Sequence, residues 1–261
     1  MAITVICGPT GSGKTGLALA LAEKIGASIV NADSMQIYKG LDIGTAKPTL
    51  EERQIAPHYL IDIKDPAEKY SVRDYMKDAK KCIDEAQSRE EKLIFVGGTP
   101  PHVTSLVEGI HYIPGSTDHA YRAELEKILA DKGPESLWKA LEEVDFPRAQ
   151  VLHPNDHKRI IRALEIYQTT GMRQSDWDEA GQRLFLPYTF EVYAPNWPRE
   201  VLYVRINRRV DLMMAQGLLE EAKKVYDMDL PADATCLQAI AYKEFFPYFE
   251  GKASLEESVE L

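Results

Sequence analysis

The segment Gly8-Pro9-Thr10-Gly11-Ser12-Gly13-Lys14-Thr15 constrains this chain more than any other. The pattern G-x-x-x-x-G-K-[ST] places backbone N–H groups around phosphate oxygens, and it does so between a strand and a helix. Its flanks agree. Residues 3–7 are a short apolar run that predicts a strand, and residues 16–22 are strong helix formers stopped by Gly26. Residues 27–32 predict a second buried strand leading to Asp33, so strand, helix and strand form a βαβ unit with a parallel sheet. Residues 92–96 predict a third buried strand, closed by Gly97-Gly98-Thr99. Thr99 followed by Pro100 suits the start of a helix that runs to about Glu108.

Beyond this point the pattern changes. Residues 118–131, 135–144 and 155–168 each read as helix, with no convincing strand between 115 and 187. Residues 189–193 return to β alternation, residues 198–228 predict one long amphipathic helix, and residues 234–261 read as helical. The expected fold class is α/β, a P-loop NTPase-like parallel sheet flanked by helices, with an all-helical insertion domain. Residues 1–114 and 189–261 form the core in this reading, and residues 115–188 form the insertion. Residues 34–49 lack a period and contain Gly40, Gly44 and Pro48, which predicts a long loop of the kind that carries function.

Charge and composition narrow the function. A net charge of −10 argues against a general polyanion binder, so any contact with nucleic acid must be local. No apolar run approaches the roughly 20 residues a membrane span needs. The first residues lack a charged leader and a cleavage site, and a cytoplasmic protein is expected. Cys7, Cys82 and Cys236 lie far apart and read as buried free thiols. The last residues stop inside a helical pattern without a cap, which predicts a longer native chain.

The chemistry starts at the loop. Gly8, Thr10, Gly11, Ser12 and Gly13 turn amides inward, Lys14 reaches terminal phosphate oxygens, and the Thr15 hydroxyl suits Mg²⁺. Such a loop holds diphosphates and triphosphates alike. The strand at 92–96 ends without a carboxylate, which weakens an ATPase reading. Asp33 instead ends the second strand, on the side of the sheet where ligands lie, as a general base, a substrate anchor or a loop cap. Arg205 and Arg209 share a helix face, as do Lys158 and Arg162, either for phosphate contact or as solvated surface balanced by acids such as Glu165.

Longer blocks say more. The loop at 8–15 is joined by Asn31-Ala32-Asp33-Ser34-Met35-Gln36-Ile37-Tyr38-Lys39-Gly40-Leu41-Asp42-Ile43-Gly44-Thr45-Ala46-Lys47-Pro48 and by Pro57-His58-Tyr59-Leu60-Ile61-Asp62. Gly97-Gly98-Thr99, His153-Pro154-Asn155-Asp156 with Arg159, and Arg162-Ala163-Leu164-Glu165 follow, then Arg205-Ile206-Asn207-Arg208-Arg209 and Gln238-Ala239-Ile240-Ala241-Tyr242-Lys243-Glu244. In this order, over essentially the whole chain, they resemble the tRNA dimethylallyltransferase (tRNA isopentenyltransferase) family.

The resemblance implies transfer of a dimethylallyl group from dimethylallyl diphosphate to N6 of an adenosine beside the tRNA anticodon, with Mg²⁺ as cofactor. The phosphate loop then holds the donor diphosphate rather than ATP. Asp33 matches the family's base, Arg209 its catalytic arginine, with Arg205 beside it on pyrophosphate, and Thr99 a threonine near the reacting centre that also suits a helix cap. Asp33, Ser34, Met35 and Gln36 match the loop that grips the adenosine, while Lys158, Arg159 and Arg162 are the expected contacts to the anticodon stem-loop. Tyr38 and His58 either stack on the base or pack in the core. A monomer is expected. The family's Gly-Leu-Tyr after Gly-Gly-Thr is Pro100-Pro101-His102 here, and the family's chain continues past residue 261 with a basic segment on tRNA. These departures predict weaker tRNA binding and an exposed apolar patch. They keep open a catalytically impaired tRNA- or nucleotide-binding relative, and a small-molecule ATP-dependent kinase stays open because the same loop could hold ATP while Asp33 activates a hydroxyl acceptor.

Overall fold

Apolar runs without polar alternation become strands buried on both faces, as a parallel sheet requires. The structure, a computed structural model, describes residues 2–109, 118–179 and 187–260. Five strands, β1 (Ile3–Cys7), β2 (Ala27–Asn31), β3 (His58–Tyr59), β4 (Lys92–Gly97) and β5 (Phe190–Tyr193), form one parallel sheet in the order β3-β2-β4-β1-β5. Phe95 of β4 pairs with Val5 of β1 and Val30 of β2, and this row belongs to the apolar cluster that includes Tyr75, Ala79 and Ile83 of helix α3 (Val72–Ser88). Neighbouring residues Ile6, Ile29, Ile94 and Val96 join Ala18, Leu19 and Ala22 of helix α1 (Lys14–Ile25) in the cluster on the other face. The α/β expectation is met.

Helix α2 (Leu50–Ile55) and β3 were not predicted. A capping box between Thr49 and Glu52 starts α2, and two-residue β3 is too short to carry a period. Helix α4 (Pro100–Glu108) begins at Pro100, consistent with proline's tolerance of a first turn.

The chain divides into two compact units, Met1–Val107 with Leu186–Leu261, and Glu108–Phe185. The expected boundary at residues 114/115 lies outside the described residues, as do residues 180–186 of the expected insertion. The second unit contains α5 (His119–Lys132), α6 (Pro134–Val144), α7 (Phe146–Val151), α8 (His157–Thr170) and α9 (Gln174–Glu179) around Leu125, Leu137, Leu141, Ile160 and Leu164. Trp138 ties α6 to α7 by donating its indole N–H to Ala149 O and Leu152 O.

Three expectations need correction. The helix expected at 198–228 is two, α10 (Arg199–Gln216) and α11 (Leu218–Asp227), because Gly217 adopts φ 102° and ends α10 with a left-handed cap. Residues 234–260 are not one helix. They hold two 3₁₀ turns (Thr235–Gln238 and Lys243–Phe245), α12 (Phe246–Phe249) and α13 (Leu255–Glu260), with Ala241 at φ 107° and Gly251 at φ 71° between them. Among the cysteines only Cys236 is buried; Cys7 and Cys82 are half-buried. No helix among the described residues is long and apolar enough to cross a membrane.

His102 is buried and stacks on Tyr75 with ring centroids 4.0 Å apart, and its Nδ1 has no hydrogen-bond partner among the described residues. Burial lowers its pKa from 6.5 to about 4. Below about pH 6.5 the unfolded chain takes up a proton that the folded ring refuses. Stability therefore falls with pH through this window, by about 3 kcal/mol for this one group. Burial also lowers the pKa of His58, with the same sign. We expect His102→Phe to keep the stack and flatten the dependence of the urea midpoint between about pH 7 and about pH 4.5; an unchanged slope would contradict a neutral His102.

Candidate active site

In a parallel sheet the carboxyl ends of the strands open on one edge, and here three of those ends converge. β1 runs into the phosphate loop, β2 into Asp33, and β4 into Gly97-Gly98-Thr99. A Cβ placed on Gly98 would lie 3.2 Å from Gly8 O and 3.3 Å from Lys14 Nζ, so the loops after β1 and β4 touch. Gly8, Gly11 and Gly13 carry φ of 148°, 79° and 85°, the left-handed backbone that turns the loop and favours glycine.

A strap after β5 covers that loop. Trp197 donates its indole N–H to Ser12 O at 2.9 Å, Arg205 of α10 donates Nε–H to Gly11 O at 2.6 Å, and the Arg205 guanidinium stacks 5.2 Å from the Trp197 ring. Behind it lies a cavity of about 320 Å³ lined by Gly11, Gly13, Lys14, Thr15, Arg205, Arg208, Arg209 and Leu212. Four of these described residues are cationic and none is acidic, which suits a compact polyanion. Arg208 was not singled out in the sequence, although its spacing from Arg205 puts both on one helix face. Trp197 gave no local signal at all. A larger cavity, about 730 Å³, adjoins the first at Thr15, Arg209 and Leu212 and runs along the 39–53 segment.

Burial pushes the Lys14 ammonium below the ordinary lysine value, with the Asp33 carboxylate opposing that shift and Arg209 adding to it. Arg209 is likewise lowered by burial and supported by Asp33. Asp33 therefore sits within the field of both cations, on the phosphate side as expected. Its Oδ1 accepts from Met35 N at 2.9 Å, and Asn31 holds its backbone from both sides, accepting from Asp33 N and donating to Asp33 O. This local bond is the loop-capping role, and it occupies only one carboxylate oxygen.

Among the described residues the Thr99 hydroxyl bonds the Ser34 loop rather than a helix amide. The oxygen accepts from Ser34 N at 2.9 Å and donates to Ser34 Oγ at 3.2 Å, which binds the end of β4 to the Ser34 loop. Gln36 donates its amide N–H groups to Thr45 O and Ala46 O. Met35 is half-buried against the core cluster. Tyr38 is fully buried and packs in the core, whereas His58 is half-buried, with its Nδ1 within 2.8 Å of Ala56 O, and lines a small cavity shared with Asn31 and Gln36.

In the second unit, Arg159 pairs with Asp156 at 2.7 Å, and Arg162 lies 3.6 Å from Glu165, which is fully buried and also gripped bidentately by Arg122. Among the described residues Lys158 has no acidic partner within ion-pair distance. Arg208 is exposed at the cavity rim, so Arg208→Ala is expected to weaken inorganic pyrophosphate binding by only about threefold in calorimetry. No change relative to an Arg199→Ala control would remove it from the site.

A family model described as IPP transferase matches residues 36–261. A tRNA dimethylallyltransferase of Geobacillus thermodenitrificans is 44% identical over 99% of this chain and 81% of its own length, and one of Bacillus licheniformis is 45% identical over 99% and 82%. Among solved structures, a full-length tRNA isopentenylpyrophosphate transferase from Bacillus halodurans is 40% identical with a TM-score of 0.67, covering 99% of this chain and 80% of that one. A eukaryotic dimethylallyltransferase acting on tRNA is 30% identical with a TM-score of 0.84, covering 99% of this chain and 65% of that one. Matched over nearly its whole length, the chain belongs to the IPP transferase family, that of the tRNA dimethylallyltransferases.

Proposed function

We propose that the protein transfers a dimethylallyl group from dimethylallyl diphosphate to N6 of an adenosine beside the anticodon of tRNA. One observation carries this beyond family membership: a cavity with four cationic linings and no described acid, in whose field the Asp33 carboxylate stands alongside. The bond from the allylic carbon to the bridging diphosphate oxygen breaks, and pyrophosphate leaves with its electron pair. A bond from N6 to that carbon forms, and the N6 proton passes to the Asp33 carboxylate. The loop amides of Gly8 to Gly13, with Lys14, Arg205, Arg208 and Arg209, stabilise the charge that gathers on the leaving group.

Thr99 sets the position of Ser34, and the Asp33 to Gln36 segment is the reading's grip on the adenosine, which must be splayed from its loop to be reached. Lys158 is the strongest of the proposed tRNA contacts, because Arg159 and Arg162 already have acidic partners. Mg²⁺ fits the site: Thr15 offers one hard oxygen in the cation-lined cavity, and this ion is ordinarily completed by substrate phosphate oxygens and water rather than by a protein cage. When bound, it would add positive charge beside the diphosphate. Every proposed transfer residue lies in one unit of one chain, which supports action as a monomer.

The kinase reading loses its ground with the family and with the absence of a carboxylate at the end of β4. Incubation with carbon-labelled dimethylallyl diphosphate and an anticodon stem-loop tests the proposal. Label should appear on the exocyclic nitrogen of one adenine, and pyrophosphate should compete for the site more strongly than ATP. Unlabelled RNA after full release of pyrophosphate would overturn it.

A further inference from the structure

We propose that Glu221 is a positioning residue for the acceptor, acting from helix α11 through the 42–44 turn onto Gln36; the inference rests on the transfer reading above. Glu221 is buried, at 7% exposure, yet it is not ion-paired with any described cation. Its carboxylate instead accepts four hydrogen bonds. Oε2 takes Asp42 N and Ile43 N, each at 2.9 Å, and Oε1 takes Gly44 N at 2.9 Å and the Tyr242 hydroxyl at 2.8 Å.

Three successive amides aimed at one carboxylate form a nest that suits an anion, so the Glu221 side chain holds the turn in this shape. Tyr242 closes the other side. A Cβ on Gly44 would meet its ring at 2.7 Å, so ring and backbone are in direct contact there. Thr45 Oγ1 then donates to Leu41 O at 2.6 Å, and Lys47, 7% exposed overall, donates to Tyr38 O, Asp42 Oδ1 and Asp62 Oδ1, each at 2.6 Å.

The clamped turn is what holds Gln36. Its amide donates to Thr45 O at 3.0 Å and Ala46 O at 3.1 Å, the carbonyls directly after Gly44, and Gln36 ends the segment that starts at Asp33. Glu221 also follows the helix that carries Arg205, Arg208 and Arg209, joined by Gly217, whose Cβ position is 3.9 Å from Ile43 Cδ1. One carboxylate thus fixes the acceptor segment relative to the helix that supplies the cations, without touching either substrate.

Glu221→Gln is the direct test, since an amide of the same shape turns two donors toward backbone N–H groups that already donate. The expected result is a fall of at least about tenfold in kcat/KM for an anticodon stem-loop, with the Kd for inorganic pyrophosphate unchanged within about twofold. Tyr242→Phe removes one of the four donors and leaves the nest, and it should move the same ratio in the same direction by about threefold, which keeps the test informative if Glu221→Gln folds poorly. Parallel losses in acceptor turnover and pyrophosphate affinity from both variants would reduce Glu221 to a purely structural role, and wild-type kinetics in both would overturn the inference outright. Wild-type protein that transfers nothing would instead contradict the function itself.

Discussion

Replacing Asp33 with asparagine is expected to slow dimethylallyl transfer by about 10³-fold while leaving pyrophosphate binding intact or tighter. Asparagine keeps the oxygen that accepts from Met35 N, so the loop keeps its cap. What it loses is the capacity to take a proton. An exocyclic amine is a poor nucleophile, and without a positioned base its proton must leave through water. The second half of the expectation comes from electrostatics: the Asp33 carboxylate acts on both Lys14 and Arg209, opposing the effect of burial on each. Removing its charge raises the net positive potential in the cavity, so an anion should bind by about twofold or more the tighter. Single-turnover rates and calorimetry with pyrophosphate read the two effects separately. A capping role alone predicts wild-type turnover for Asp33→Asn, and an anchor for the diphosphate predicts weaker binding; either outcome removes the base.

The second large effect falls on folding. Gly97 ends β4 beside the end of β2, where a Cβ would lie 2.2 Å from both the carbonyl carbon and the oxygen of Ala32. Those atoms belong to the backbone that delivers Asp33, and Ala32 N donates to Val96 O at 2.7 Å, so neither strand can give way without breaking the ladder. Gly97→Ala should cost more than about 3 kcal/mol, the upper range for overpacking a rigid interior. The companion Gly98→Ala meets Gly8 O and Lys14 Nζ at 3.2 and 3.3 Å, and it should retain the fold while disturbing the phosphate loop. Denaturant midpoints for the pair check this. Equal stability for Gly97→Ala and wild type would mean that the strand ends are not packed as described.

The parts of the fold readable beforehand were those in which local pattern and tertiary role coincide. β1, β2 and β4 are apolar runs closed by glycine or a polar turn, and the phosphate loop is defined by its own glycines. Elements that depend on partners left little trace. β3 exists because two residues pair with Ile29 and Val30, and the 3₁₀ turns after residue 234 replace a helical pattern because Ala241 is held at a positive φ. Gly217 was legible in principle as a left-handed cap, but amphipathic sequence continues across it.

The site shows the same division. Lys14, Asp33, Thr99, Arg205 and Arg209 stand out by motif and spacing, and the structure brings Lys14, Asp33 and Arg209 into one field. Trp197 is invisible in the sequence because its role is a bond to Ser12 O and a stack with the Arg205 guanidinium, made by the strap that follows β5, the strand next to β1. Glu221 looks like one more acid at the start of an acidic helix, and only the three amides that meet it reveal otherwise. The hydroxyl of Thr99 bonds Ser34, a pairing across 65 residues that no local pattern announces.

The most direct measurement follows one oxygen atom. Dimethylallyl diphosphate carrying heavy oxygen in the bridge between the allylic carbon and phosphorus is turned over with an anticodon stem-loop, and the products are weighed by mass spectrometry. If the phosphate loop cradles a leaving group that departs from carbon, all of the heavy oxygen emerges in pyrophosphate and the RNA gains only the hydrocarbon. Heavy oxygen retained on the dimethylallyl fragment, or a phosphoryl group found on the acceptor, would contradict the account.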